Sequence, residues 1–262
     1  MSRELVRSRF EGGIAFLELA DPPANTYSYE MMRQLDEAVL RARVDPTIHV
    51  IVLRGAGERF FCAGADIAML RDADPDFKYA FCLHANETLL RMEHTPKLVI
   101  AALNGHCVGG GLEVAMAADL RVARKGAGRI GLPEVTLGVL PGTGGTQRLA
   151  RLVGKARAIE FMATGRLLTP EEALGAGLVH EIFEAEGFDD RVLEYARSFL
   201  PPGRASKAVG LIKRAVQSGT EASLLDGLAI ERELQQRLFE SEDAAEGIRA
   251  YVEKRKPEFG GR

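Results

Sequence analysis

Residues 98–113, LVIAALNGHCVGGGLE, decide the architecture. Six consecutive apolar residues, Leu98–Leu103, read as a strand buried on both faces. Asn104-Gly105 turns the chain, and a helix is expected to open near Gly110 and run through Ala118. Ile48–Leu53 is a second buried strand, again followed by a glycine-containing turn and a helical pattern. Strand, glycine turn and helix in repetition argue for an α/β fold with helices packed on sheets.

The same reading extends outward. Leu5–Phe10 and Ile14–Leu19 form a hairpin pattern about Glu11-Gly12-Gly13, and Asp21-Pro22-Pro23 breaks the chain. Ser28 is a fitting N-cap for a run with Met31, Met32, Leu35, Ala38, Val39 and Ala42 at helical spacing. The stretch Arg71–Lys78 shows no readable period. Asp119–Ala123 reads as a short strand, and Thr146–Leu152 and Lys155–Ala163 as helices separated at Gly154. Thr169, Pro170 and Glu172 make a capping box with proline at the first helical position, and Gly177 suits the C′ position. Composition shifts at Pro201-Pro202-Gly203. Beyond it, 205–218, 221–239 and 244–256 are helical, and Leu224, Leu225, Leu228, Leu234 and Leu238 imply packing on the main body or on another subunit. The expected division is a core over 1–200 and a helical subdomain over 201–262.

Composition narrows the function. With 46% hydrophobic and 27% charged residues the chain is an ordinary soluble globular protein. A net charge of −3 gives no electrostatic case for nucleic acid or an anionic membrane. Three cysteines without a CxxC pair (Cys62, Cys82 and Cys107) fit a reducing, cytoplasmic location. No signal peptide and no membrane-spanning run is expected.

Several motifs resolve to plain structural readings. Gly126–Gly131 spells GxGxxG, but Pro133 follows where a helix would have to open, and Arg151 stands where an acid would be needed. These glycines therefore read as turn residues. No phosphate-binding GxxxxGK[ST], no GxSxG nucleophile motif and no metal-ligand spacing occurs. His49 reads as structural. His106, inside what reads as a glycine-rich loop, is either a site residue or a satisfied loop histidine.

Glu113 and Glu134 stand out, each being the one acid in an apolar, glycine-rich stretch (NGHCVGGGLE and GLPEVTLGVLPGTGG). They are 21 residues apart, so only the fold can bring them together. Paired carboxylates beside free backbone N–H groups point to acid/base chemistry on a substrate that develops negative charge. Glycines at a helix start leave such N–H groups free, although a tight turn is the plain alternative. Small residues near Ala63–Ala65 would allow a second N–H to enter the same crevice, while Asp66 has a plain role as a helix cap.

Three ordered motifs carry a resemblance over nearly the whole chain. They are Phe61–Ile67 (FCAGADI), Asn104–Glu113, and Gly131–Glu134 followed by Pro141–Leu149 (PGTGGTQRL). The late Leu167–Val179 segment and the terminal Tyr251–Arg255 extend it. Together they resemble the crotonase (enoyl-CoA hydratase/isomerase) superfamily. That resemblance implies a crotonase-like spiral of ββα units with a C-terminal helical trimerisation region, assembled as a homotrimer or homohexamer. It implies hydration of a 2-enoyl-CoA to 3-hydroxyacyl-CoA, with coenzyme A part of the substrate and no separate cofactor or metal.

Carried over by position, the resemblance makes Glu113 and Glu134 the catalytic acids and the backbone N–H groups of Ala65 and Gly110 the oxyanion hole. Gly142 becomes a water-positioning residue, and Ala63, Gly64, Asp66, Ile67, Tyr251 and Lys254 become CoA or substrate contacts. Alternatives are a Δ3,Δ2-isomerase, a hydratase of a branched, aromatic-derived or cyclic acyl group, and a non-catalytic CoA-binding or RNA-binding relative. Two departures bear on the acyl group. Asn25-Thr26-Tyr27 stands where relatives commonly read Asn-Ala-Leu, so Tyr27 is expected to reshape the channel, and Leu132 replaces a polar residue. Met69, Leu70, Phe77 and Phe81 are the acyl-pocket candidates.

Overall fold

The two apolar runs become neighbouring strands in a computed structural model that describes residues 3–262. The chain opens with β1 (Val6–Glu11), β2 (Ile14–Leu19), α1 (Tyr29–Val44), β3 (Val50–Gly55) and β4 (Phe60–Cys62). It continues with α2 (Ile67–Asp72), α3 (Pro75–Glu93), β5 (Leu98–Leu103), β6 (His106–Val108), α4 (Gly110–Met116), β7 (Leu120–Arg124) and β8 (Ile130–Gly131). A 3-10 turn over Glu134–Leu137 precedes α5 (Gly145–Val153), α6 (Lys155–Thr164), α7 (Pro170–Gly175), β9 (Glu181–Phe183) and α8 (Phe188–Arg197). Three helices close the chain: α9 (Ser206–Gly219), α10 (Leu224–Phe239) and α11 (Glu242–Glu253).

The larger sheet has the order β1-β2-β3-β5-β7-β9, parallel except for the β1–β2 hairpin. A second, parallel sheet has the order β4-β6-β8. Each of three successive chain turns (β3 to β4, β5 to β6, β7 to β8) gives one strand to each sheet and then a helix. The result is a spiral of ββα units.

β5 shows why its sequence is uniformly apolar. Val99, Ala101 and Leu103 enter the core under α1, α3 and α4, while Leu98, Ile100 and Ala102 enter the core covered by α8. With both faces buried, each of the Leu, Val and Ile side chains contributes on the order of 1.5–3 kcal/mol, and the two alanines less.

The structure corrects the opening reading at one point. His106–Val108 is a strand, not loop, paired to β4 and β8. β4, β6, β8 and β9 are two or three residues long, too short for a period-2 pattern to show. The unreadable 71–78 stretch holds the α2–α3 junction, where Asp74 caps α3 through the Phe77 N–H and Pro75 opens it. Gly126 and Gly128 have φ of +72° and +95°, as the turn reading expects.

The helical tail is anchored to the sheet. On α9, Lys213 Nζ donates to the Met92 and Lys97 carbonyls, each at 3.0 Å, and pairs with Asp119 at 2.9 Å. Among the described residues no helix is long and apolar enough to cross a membrane.

Candidate active site

The crevice forms where β4 ends beside the start of α4. The two backbones touch at Gly64, where a Cβ would stand 3.0 Å from the Gly110 nitrogen, and its φ of +95° independently favours glycine. A parallel bridge ties Tyr27 to Ala65: the Tyr27 N–H donates to Gly64 O at 2.9 Å and the Asp66 N–H to Tyr27 O at 3.0 Å. In that pattern the Ala65 N–H faces away from Tyr27, and no protein acceptor takes it among the described residues. Gly110 opens α4, so its N–H is one of the helix's orphan donors and is likewise unclaimed. Two backbone donors therefore lie side by side at the positive end of a helix dipole.

Both acids lie close by: Glu113 is three residues beyond Gly110 on α4, and Glu134 reaches back toward Gly109. Glu113, in the first turn of α4, is almost wholly buried (2% exposed). Its Oε1 accepts the Thr143 N–H at 2.7 Å and the Gly145 N–H at 2.6 Å. Glu134 opens the 3-10 turn with Oε1 3.1 Å from where a Gly109 Cβ would lie, one residue before the Gly110 donor. Its Oε2 is buried without a partner. The Glu113 carboxyl is pushed up to about 7, chiefly by burial and further by the Glu134 charge. The Gly145 and Thr143 N–H groups and Arg148 offset part of that rise. Burial raises Glu134 as well.

The Glu113 shift predicts a stability effect. An unfolded glutamate titrates near ~4.3, so between that pH and about 7 the folded chain holds a proton that the unfolded chain has released. Stability is therefore greatest below the unfolded value and falls as pH rises through the folded one, by about 4 kcal/mol in all. Glu113→Gln keeps an acceptor for both N–H groups without the charge. It is expected to withstand denaturant better than wild type at pH 8, with the gain fading by about pH 4. Equal denaturation midpoints at pH 8 would contradict the raised carboxyl.

Further residues support the loop that clamps Glu113. Arg148 donates to Thr143 O at 3.0 Å and holds Glu93 bidentately at 2.7 and 2.8 Å, with both side chains largely buried. From α3, Asn86 Nδ2 donates to Gly142 O at 3.4 Å, and Cys82 Sγ stands 3.5 Å from where a Gly142 Cβ would lie. No protein acceptor takes the Gly142 N–H among the described residues. Asn25, fully buried at φ +50°, pins the 21–28 loop by donating to Ala56 O and Phe60 O, each at 2.9 Å. The roles of Thr143, Arg148 and Asn25, and Asn86 altogether, escaped sequence reading because amide, hydroxyl and guanidinium groups that act through backbone leave no spacing signal.

The remaining candidates divide. Ala63 donates its N–H to Ala24 O at 3.0 Å, and Ile67 points outward. Asp66 spends its carboxylate on capping α2 through the Ala68 and Met69 N–H groups. Met69 and Leu70 pack on the core, and Phe77 stacks on the buried Phe81 at 6.4 Å. Tyr251 and Lys254 are both exposed at the end of α11, which packs on α10 and the C-terminal tail. His106 is satisfied structurally, its Nδ1 accepting the Arg129 N–H at 3.1 Å and its ring lying on Phe60. His49 Nδ1 shares a 2.8 Å bond with the Ser206 hydroxyl. Tyr27, the departure expected to reshape the channel, is walled into the core with its hydroxyl 2.9 Å from Thr143 Oγ1. Leu132 is core as well, packed under Gly145.

Known proteins share this sequence and geometry. The enoyl-CoA hydratase/isomerase family model matches residues 9–262. A 2,3-dehydroadipyl-CoA hydratase of Escherichia coli is 38% identical over 99% of each chain. A short-chain-enoyl-CoA hydratase of Clostridium acetobutylicum is 36% identical over 95% of this chain and 94% of its own. The crystal structure of an enoyl-CoA hydratase from Geobacillus kaustophilus superposes with a TM-score of 0.96 at 46% identity, covering 100% of this chain and 98% of that one.

Proposed function

The chain belongs to the enoyl-CoA hydratase/isomerase family, and from that premise we propose that it hydrates a 2-enoyl-CoA to the 3-hydroxyacyl-CoA. The observation that carries this reading is the pairing of Glu113 and Glu134 beside the unclaimed N–H groups of Ala65 and Gly110. A 2-enoyl thioester is electrophilic at C3, and attack there drives electrons through C2 onto the carbonyl oxygen. The two N–H donors receive that oxygen and stabilise its charge where it develops, without reorganising.

Glu134, raised by burial and with one oxygen unpartnered, takes the proton from water as the C3–O bond forms. That proton, or one relayed in its place, is then delivered to C2 as the enolate collapses. Glu113 has Oε1 committed to Thr143 and Gly145, which leaves Oε2 to orient the same water, with the Gly142 N–H beside it. Charge on Glu134 raises Glu113, so the protonation of one acid bears on the other. Coenzyme A arrives as part of the substrate, and no step calls on a metal or a further cofactor.

The same reading takes residues 201–262 as the trimerisation region of a homotrimer or homohexamer. Outward-facing Ile212, Val216, Leu224, Leu225 and Phe239 support it. A cytoplasmic location accompanies this reading.

The test is a panel of acyl-CoA esters followed by enoyl-thioester absorbance. Hydration removes the conjugated alkene, so absorbance should fall on 2-enoyl-CoAs. Absorbance rising on 3-enoyl-CoAs alone would make the protein an isomerase, and binding without turnover would make it a CoA-binding module.

A further inference from the structure

We propose that Tyr27 is a positioning residue that sets the spacing between the oxyanion donors and Glu113. Its backbone is bonded on both sides of Ala65, to Gly64 O at 2.9 Å and from the Asp66 N–H at 3.0 Å, so the peptide carrying one donor is fixed to it. The hydroxyl edge of its ring closes on the residue that carries the other donor: a Cβ on Gly110 would overlap the Tyr27 hydroxyl and stand 2.6 Å from Cε1. Its hydroxyl shares a 2.9 Å bond with Thr143 Oγ1, and the Thr143 N–H holds Glu113 Oε1 at 2.7 Å.

One residue thus holds the Ala65 peptide through its backbone, and packs on Gly110 and bonds the clamp on the acid through its side chain. It is itself held from behind by Phe81, with ring centroids 5.8 Å apart, and by the Asn25 bonds that pin its loop. The carbonyl oxygen, C2 and C3 of an enoyl thioester lie within a few bonds of one another. Donors and carboxylate therefore have to keep a fixed separation, and a misplacement of about 1 Å costs on the order of 10²-fold in rate. A buried tyrosine needs a partner for its hydroxyl, yet nothing in that need requires the partner to be the residue that clamps Glu113.

This inference rests on the roles given above to Glu113 and the two N–H groups, and its test has a readout separate from hydration. Acetoacetyl-CoA forms a thioester enolate without adding water, so the absorbance of its bound enolate reports the donors and acids directly. Tyr27→Phe is expected to lower kcat for crotonyl-CoA about tenfold or more, with KM within about threefold. It should bind acetoacetyl-CoA with a weakened enolate signal. Thr143→Val should match it, the double variant should be no worse than either, and Thr143→Ser, which keeps the hydroxyl, should restore wild-type values.

Wild-type kcat and enolate signal in Tyr27→Phe overturn the proposal. So does a loss that appears in KM and in acetoacetyl-CoA affinity, which would make Tyr27 a wall of the binding channel. If wild type forms the enolate but hydrates no enoyl-CoA, the hydratase reading falls and the enolate signal alone decides the role of Tyr27.

Discussion

Glu134→Gln is expected to lower kcat for crotonyl-CoA hydration by about 10²–10⁴-fold with little change in KM. The amide preserves the shape of the side chain but cannot take the proton from water. Glu113→Gln should fall in the same range. Its amide oxygen still accepts from Thr143 and Gly145, but the charge that orients the water is gone. The double variant should lose much less than the product of the two, because both groups act on one water. Measurement is by initial rates on crotonyl-CoA and other enoyl-CoAs. Near-wild-type rates for both single variants would remove the two-glutamate role. Glu113→Gln should also be the more stable protein at pH 8, as expected where a buried carboxyl is kept for function at a cost in folding free energy.

Gly110→Ala is expected to lower kcat by about 10²–10³-fold, the range for losing one oxyanion donor. The added methyl has no room: it would overlap the Tyr27 hydroxyl and stand 2.6 Å from Cε1 of a ring itself fully enclosed. Either the start of α4, which carries one donor, or the Tyr27 loop, to which the peptide carrying the other is bonded, must shift. Rates read alongside circular dichroism separate this from unfolding: retained secondary structure with lost turnover is the expected pair. A folded Gly110→Ala protein with wild-type kcat would contradict the displacement, showing that the methyl is accommodated with both donors in place.

Much of this was legible in the sequence. Leu98–Leu103 announced a doubly buried strand because both of its faces are covered, and Gly109–Gly111 announced a backbone held close to its neighbours because side chains there have no space. The two acids were visible because each is the only charge in an apolar stretch. The second sheet was not legible, since strands of two or three residues carry no alternation. Nor was the clamp on Glu113. It is built from the backbone N–H groups of Thr143 and Gly145, and a backbone donor leaves no mark on residue type. Tyr27 was noticed as a departure from relatives, but only the fold shows its hydroxyl turned inward to Thr143. Tyr251 and Lys254 show the opposite limit: both are exposed at the end of α11, and a matching position in a C-terminal motif does not by itself show what their side chains contact.

The most direct measurement follows the enoyl-thioester absorbance of crotonyl-CoA with wild type and Glu134→Gln in parallel, with the product weighed by mass spectrometry. The account predicts rapid loss of absorbance with wild type, a product heavier by one water, and almost no change with the variant. Unchanged absorbance with wild type, or equal rates for the two proteins, would contradict it.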